Sequence, residues 1–509
     1  MTSVKIISNP YNKTVQFQEL TESGSEWANI DYASHPNSAL VRKENMEGFF
    51  PFQAKKIVEA IACEYGLPGE PLSIVFEGSA DEYEELKAVC SDCSFDAPIH
   101  TEKGSRNLAN ARDILPEVKL LFQKMSPLIS QSVSQERIQH DLSRFTDASS
   151  DVVPICVLGN YSTGKSTFIN ALIGSEILPS GAEPVTAKVY KISRAKYKDR
   201  AKIRCKYLDW GITVTFTEQE TQIDNGMADN PLSCELKTAL YAMEGEDIVL
   251  RVNKALTIIN DIENRTEETE ISDLIEVEIP FANGVLAKSM HPFVIFDTPG
   301  SNSVSNVKHL HVLKEAMANM TNGLPIFLST PDALDSTDNE SLYRIIRELD
   351  ELDNRFTMIV VNKADSAGIQ RRGANEQEQK RVLSQAVPRN LYSGGLFYVS
   401  SILGLGSKTD GSFFDYVYED VYDAQVGRYS NPGHKHYRSL YLFNIMPEQI
   451  KRRSDDLAAA QTDLVYANSG LYSIETEIET FAGKYAAYNK CFQSQLFLRK
   501  VIMITEDDR

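Results

Sequence analysis

The chain lacks any run of ~20 apolar residues, the length a helix needs to cross a bilayer. Its start, MTSVKIISNPYNKTVQFQ, also lacks a positively charged stretch followed by an apolar core. Both absences argue against a spanning or secreted protein, so a cytoplasmic one is expected. Cysteine is scarce. Seven are scattered over 509 residues, an odd number that fits reduced thiols better than a disulfide framework. Positive charge is in deficit too, and a formal net charge of −19 repels phosphate backbones, which makes nucleic acid an unpromising partner. The densest basic stretch, Lys188 to Lys206, alternates basic with other residues in its second half, as the solvated face of a strand does.

No low-complexity tract is present. A content of 42% hydrophobic and 24% charged residues is that of a folded globular chain, long enough for roughly two to four domains. Residues 1–105 read as a small α+β domain with strands at VKIIS, TVQFQ and LSIVF. Between the last two, Ile57, Ile61 and Tyr65 recur at helical spacing and Gly66 can end the helix. Ser79 and Glu82 have the spacing of a reciprocal capping box. Cys90 and Cys93 form a C-x-x-C pair near His100 and Cys63, but a second pair at zinc-site spacing is missing. Residues 106–148 carry an apolar stripe of Ile114, Val118, Leu121, Met125 and Leu128, which Pro127 is expected to kink. A matching stripe, Leu471, Ile474, Ile478, Phe481 and Tyr485, lies in residues 409–509, so the two segments are expected to share a bundle. The chain ends Thr505-Glu-Asp-Asp-Arg509, which reads as an N-cap and acidic first turn or as a charged tail.

Residues 149–408 alternate apolar runs with helical stretches, the pattern of a mostly parallel sheet covered on both faces. The candidate strands are VVPICVL, LIEVEI, FVIF, LPIFLS, FTMIVV and LFYVS. The first runs into GNYSTGKST, which supplies Gly159, Asn160, Tyr161, Ser162, Thr163, Gly164, Lys165, Ser166 and Thr167. Glycines at this spacing let backbone amides curl around phosphates, Lys165 can reach the β and γ oxygens, and the Ser166 hydroxyl can ligate Mg²⁺. After FVIF comes Asp297-Thr298-Pro299-Gly300. Asp297 can hold a Mg²⁺-bound water and the Gly300 amide can meet the γ-phosphate.

After FTMIVV comes Asn362-Lys363-Ala364-Asp365. The Asp365 carboxylate can accept both the N1 and N2 hydrogens of guanine, a donor pair that adenine lacks. Lys363 can lay its aliphatic stem along the base. More weakly, Thr186 stands where a threonine could complete Mg²⁺ coordination. Ser400 and Ser401 stand where a backbone amide could meet the guanine oxygen.

Taken together, GNYSTGKSTFINALIG, LPSGAEPVTAKV, DTPGSNS and VNKAD resemble the dynamin superfamily, bacterial dynamin-like proteins in particular, over roughly residues 107–509. The resemblance implies a P-loop GTPase domain at 149–408, flanked by helical neck segments at 106–148 and 409–509. It also implies GTP and GDP as ligands, Mg²⁺, and self-association through GTPase domains, with hydrolysis swinging the neck to remodel membranes. A peripheral seat at a membrane and a partner dynamin-like protein come with it. Ser162 matches a serine that helps hold a monovalent cation, K⁺ or Na⁺. Tyr161 stands where many dynamins carry a water-ordering glutamine, and Ser301 and Asn302 follow DTPG without supplying one. Slow basal turnover that rises on self-association is therefore expected. A ribosome-associated GTPase and a nucleotide-gated switch or defence sensor are the rival classes. His434 and His436 could bind metal but read rather as solvated loop histidines, and the aromatic run Phe413 to Tyr422 reads either as an interaction surface or as packed aromatics.

Overall fold

A computed structural model describes every residue except 1, 22–25, 93, 133–144, 147–148, 161, 180–187, 226–229, 266–270, 299–310, 312–322, 332–356, 367–394 and 508–509. All statements below concern the described residues. Cys93, Tyr161, Thr186, Pro299 and Gly300 fall outside them.

The first sheet has five strands: β1 (Thr2–Asn9), β2 (Thr14–Leu20), β3 (Trp27–Ile30), β4 (Leu72–Ser79) and β5 (Ile99–Leu108), in the order β3-β2-β1-β4-β5. β1 runs parallel to β4, and β4 parallel to β5. Each pair is joined through helices: α1 (Lys43–Met46) and α2 (Phe50–Tyr65) in the first crossover, α3 (Ala80–Asp92) in the second. Val4, Ile6, Ile74 and Phe76 meet Ile57, Val58, Ile61, Leu86 and Val89 in a dry layer. Both helix signals in the sequence are realised. Gly66 caps α2, and the Ser79 amide donates to Glu82 Oε2 at 3.0 Å while the Glu82 amide donates back to Ser79 Oγ at 3.4 Å.

The second sheet has ten strands: β6 (Val153–Gly159), β7 (Val189–Arg194), β8 (Arg200–Tyr207), β9 (Trp210–Thr217), β10 (Thr221–Asp224), β11 (Leu274–Ile279), β12 (Phe293–Asp297), β13 (Leu324–Ser329), β14 (Met358–Val361) and β15 (Leu396–Tyr398). Their order is β10-β9-β8-β11-β7-β12-β6-β13-β14-β15. β12, β6, β13, β14 and β15 run parallel to one another, so their carboxyl ends share one edge. β6, β12, β13, β14 and β15 are buried throughout, as strands covered on both faces must be.

The direction first reverses at β7, which runs antiparallel to β12; β11 is parallel to β7, and β8, β9 and β10 continue from β11 as an antiparallel meander. On β8 the buried Ala201, Ile203, Cys205 and Tyr207 alternate with outward Lys202, Arg204 and Lys206. Arg204 lies 3.5 Å from Glu276 and 3.8 Å from Glu278. The basic run is thus a solvated strand face answered by acids on β11.

α4 (Ala111–Ser132) packs against α14 (Ala486–Asp507), the long terminal helix. The stripe expected on α4 is only partly correct: Ile114 packs against the core and Leu121 is half-exposed, while the buried position is Leu115, which the stripe did not include. The partner stripe is correct throughout, with Leu471, Ile474, Ile478, Phe481 and Tyr485 all buried. Those residues span α13 (Leu471–Thr480) and a π-helical turn, Phe481–Tyr485, that leads into α14. Thr505 belongs to the interior of α14, whose backbone stays helical to Asp507, so the N-cap reading of that segment is overturned.

The first sheet domain grips this helix. Phe49 packs edge-to-face against Tyr485 with ring centres 4.6 Å apart, Tyr488 donates to Asp81 at 3.1 Å, and Lys13 Nζ meets Asn489 Oδ1 at 2.5 Å. His434 and His436 lie with rings 6.0 Å apart, and among the described residues no cluster of three or more metal-binding side chains occurs.

Candidate nucleotide site

The shared carboxyl edge of the parallel strands is where open α/β sheets bind ligands. β6 delivers the phosphate loop there, and α5 (Lys165–Ile173) carries it away. Tight backbone geometry explains the glycines. Gly164 has φ +81°, and a Cβ on it would stand 2.6 Å from Asn362 Nδ2. A Cβ on Gly159 would stand 2.6 Å from the Leu328 carbonyl oxygen. Ser162 is held at φ +64°, and Thr163 ties the loop to itself by donating to the Asn160 carbonyl at 2.8 Å. Lys165 folds back along the loop, donating to the carbonyls of Gly159 (3.0 Å) and Asn160 (3.2 Å).

Asp297 ends β12, next to β6. Thr298 anchors this strand end by donating to the Val157 carbonyl at 2.8 Å. Burial pushes the Asp297 carboxyl up to about 6, with the nearby Lys165 ammonium opposing the rise. Burial likewise pulls Lys165 below its usual range, opposed by Asp297. Asp297 Oδ1 is buried without a hydrogen-bond partner. The orphaned carboxylate oxygen at the end of β12 and the Ser166 hydroxyl in the first turn of α5 are hard oxygen donors of the kind Mg²⁺ takes. Ser166 and Asp297 would hold the ion, which would supply charge neutralisation to the β and γ oxygens.

On the base side, Asn362 is a strut. Its Nδ2 donates to the Thr163 carbonyl at 2.9 Å, while its Oδ1 accepts from Ser401 Oγ (2.7 Å) and the Ser401 amide (3.2 Å). The loop after β6, the end of β14 and the loop after β15 are therefore one hydrogen-bonded unit. Lys363, at φ +57°, reaches over the phosphate loop: a Cβ on Gly164 would lie 3.8 Å from its Cε. The Ser400 amide donates to the Ser469 carbonyl at 3.0 Å, and its hydroxyl caps α9 (Ser401–Lys408) through the Leu403 amide at 3.4 Å. Both serine amides are thus engaged within the protein.

A sequence profile of the dynamin family matches residues 155–364, which run from within β6 to Ala364 of the base-reading loop. The match covers most of the central sheet domain, which is similar to the dynamin family over that stretch. Among curated relatives, dynamin-like protein A of Bacillus subtilis is 25% identical over 332 residues, 60% of this chain. The chain spans only about a quarter of that relative's length, since 25% of it is covered. A bacterial dynamin-like protein of Nostoc punctiforme is 30% identical over 100 residues, 18% of this chain and 14% of its own. Two solved structures of an oligomerised bacterial dynamin pair, described as a mechanism for long-range sensing and tethering of membranes, also match. They cover 64% and 77% of this chain and 43% and 46% of their own, at 16% and 15% identity and a TM-score of 0.30 each.

At this site the fold brings together Gly159, Asn160, Ser162, Thr163, Gly164, Lys165, Ser166, Asp297, Asn362, Lys363 and Ser401 along one sheet edge. Two side chains that sequence reasoning missed also reach it. On α10 (Tyr416–Ser430), the Tyr418 hydroxyl lies 3.1 Å from Thr167 Oγ1, and Gln425 Nε2 donates to Asp365 Oδ2 at 3.2 Å. They sit 251 and 60 residues from the groups they touch, and no local pattern announces them.

Proposed function

We propose that this chain binds GTP with Mg²⁺, hydrolyses it, and couples the cycle to pairing of GTPase domains and movement of the helical neck at a membrane surface. Domain limits of 1–105, 106–148, 149–408 and 409–509 go with this reading, as does a cytoplasmic, peripherally membrane-associated location. The observation that carries it is the buried, unpartnered Asp297 oxygen at the end of β12, near the ammonium of Lys165 in the helix that follows the adjacent parallel strand β6. That arrangement leaves a strained electrostatic balance which a metal–triphosphate would relieve.

The chain's own residues have definite tasks in this mechanism. Lys165 leaves the loop carbonyls for the phosphate oxygens, loop amides position the transferred group, and Asp365 selects the purine. Self-association, a dynamin-like partner and a monovalent cation near Ser162 rest on the similarity of residues 155–364 to the dynamin family. Roles for Tyr161, Thr186 and Gly300 fall on residues outside those described. GTP turnover measured against protein concentration, with and without anionic vesicles and potassium, tests the proposal. A rate per molecule that climbs with concentration is expected, and one flat under every condition refutes it.

A nucleotide-gated switch is the second reading. One observation favours it: the N-terminal domain is bonded to the neck through buried Lys13 and Asp81. That contact suits a module reporting on a bound partner.

A further inference from the structure

The helix α10 lies outside the residues that the family profile matches, yet one of its faces covers the base side of the site. Tyr418, Tyr422, Gln425 and Tyr429 recur at spacings of four, three and four, the pattern of a single helical face. Each tyrosine has a fixed seat. Tyr418 bonds Thr167 at the start of α5. The ring of Tyr422 packs on the backbone of Gly406 and Gly411, where a Cβ would stand 2.3 Å and 2.9 Å from it. Tyr429 is buried, and its carbonyl accepts from Asn468 at 2.7 Å. The face is therefore held at both ends and in the middle.

Gln425 is the one amide in this row, and it stands at the guanine-reading carboxylate. Its Nε2 donates to Asp365 Oδ2. Its Oε1 is buried and has no hydrogen-bond partner. A buried carbonyl left unsatisfied carries a desolvation penalty, so packing alone does not account for an amide here. A single bond to Oδ2 leaves the carboxylate most of its acceptor capacity. Guanine offers three hydrogens on this edge, one on N1 and two on the 2-amino group. A carboxylate takes one from each nitrogen, which leaves the second 2-amino hydrogen without a partner.

We propose that Gln425 is a second base-reading residue, whose amide nitrogen holds the Asp365 carboxylate and whose free carbonyl accepts that remaining 2-amino hydrogen. This rests on the guanine reading of the site. Selection then uses a group that hypoxanthine and adenine both lack, and it places a specificity contact on a helix whose Tyr429 carbonyl is tied to the neck-side residue Asn468.

Titration calorimetry with magnesium and GDP, IDP or ADP tests the assignment, because inosine lacks only the 2-amino group. In Gln425→Leu, GDP binding is expected to weaken roughly tenfold while IDP changes much less, so the GDP-to-IDP preference shrinks. An unchanged preference, or tighter GDP binding, overturns the assignment. A measurement on the wild-type protein stands independently of how the variant folds. N2-methyl-GDP keeps one 2-amino hydrogen for Asp365 but sets a methyl group against the Gln425 carbonyl, and should bind several-fold more weakly than GDP. Equal binding overturns the assignment. Wild-type protein that binds GDP no better than ADP sinks the guanine reading itself, and this inference with it.

Discussion

Lys408 and Glu475 form an ion pair that is almost wholly buried, with side chains 2% and 0% exposed. Lys408 ends α9, the helix that follows the base-side loop, and also donates to the Leu172 carbonyl of α5 at 3.2 Å. Glu475 belongs to the neck helix α13, and its other oxygen accepts from the amides of Val285 (2.9 Å) and Leu286 (3.1 Å) and from Tyr466 Oη (2.7 Å). One carboxylate thus joins the neck to the phosphate-loop helix, the base-side helix and the segment leading to β12. Lys408→Met leaves that carboxylate buried without its cation, which should cost about 3–5 kcal/mol. Glu475→Gln strands the lysine and should cost a similar amount. The double variant is different. A neutral amide oxygen can still accept from Val285, Leu286 and Tyr466, and methionine fills the lysine channel, so the combined loss should be only about 1–2 kcal/mol. Coupling of several kcal/mol, read from urea midpoints in a double-mutant cycle at neutral pH, follows from this geometry. Additive losses would refute it, because the two groups would then be satisfied independently.

Lys165→Ala should abolish measurable binding of GTP and GDP by calorimetry; retained tight binding would place the phosphates elsewhere. Asp297 sets a pH dependence, because its carboxyl stands near 6 and Mg²⁺ must displace the proton. Affinity for magnesium–nucleotide should fall up to about tenfold per pH unit below that value, and a flat profile between about pH 5 and 7 contradicts the role assigned to it. Glu477, on α13, is buried with Oε2 unpartnered, and burial with the nearby Glu85 lifts its carboxyl to about 8 from 4.5. The unfolded chain ionises first as pH rises, so this group costs nothing below about 4.5 and destabilises increasingly up to about 8. Glu477→Gln should therefore raise the melting temperature by a few degrees at alkaline pH and leave it unchanged near pH 4.5; an equal gain at both pH values would rule out titration as the cause.

By itself, the sequence determined the parts whose physics is local. An apolar run ending in GNYSTGKS specifies strand, loop and helix, since glycines at fixed spacing are what a phosphate-cradling loop requires. LIEVEI and LPIFLS mark β11 and β13 to the residue, the first through the period-two alternation of a half-buried strand and the second as an apolar block buried on both faces. The Ser79–Glu82 box was legible because a cap is settled within one helical turn. The meander of β8 to β10 was legible only as a basic strand face, since pairing depends on partners that sequence proximity does not single out. Leu121 carried a core periodicity but lies half-exposed, because a helix pattern does not say which part of a stripe a neighbour will cover. Only the tertiary structure decided that Asn362 braces the phosphate loop, that Gln425 stands at Asp365, and that Glu475 answers Lys408 from the neck. Each of these is a single hydrogen bond or ion pair between segments distant in sequence. Its existence follows from strand order and helix packing, which no local pattern of residues encodes.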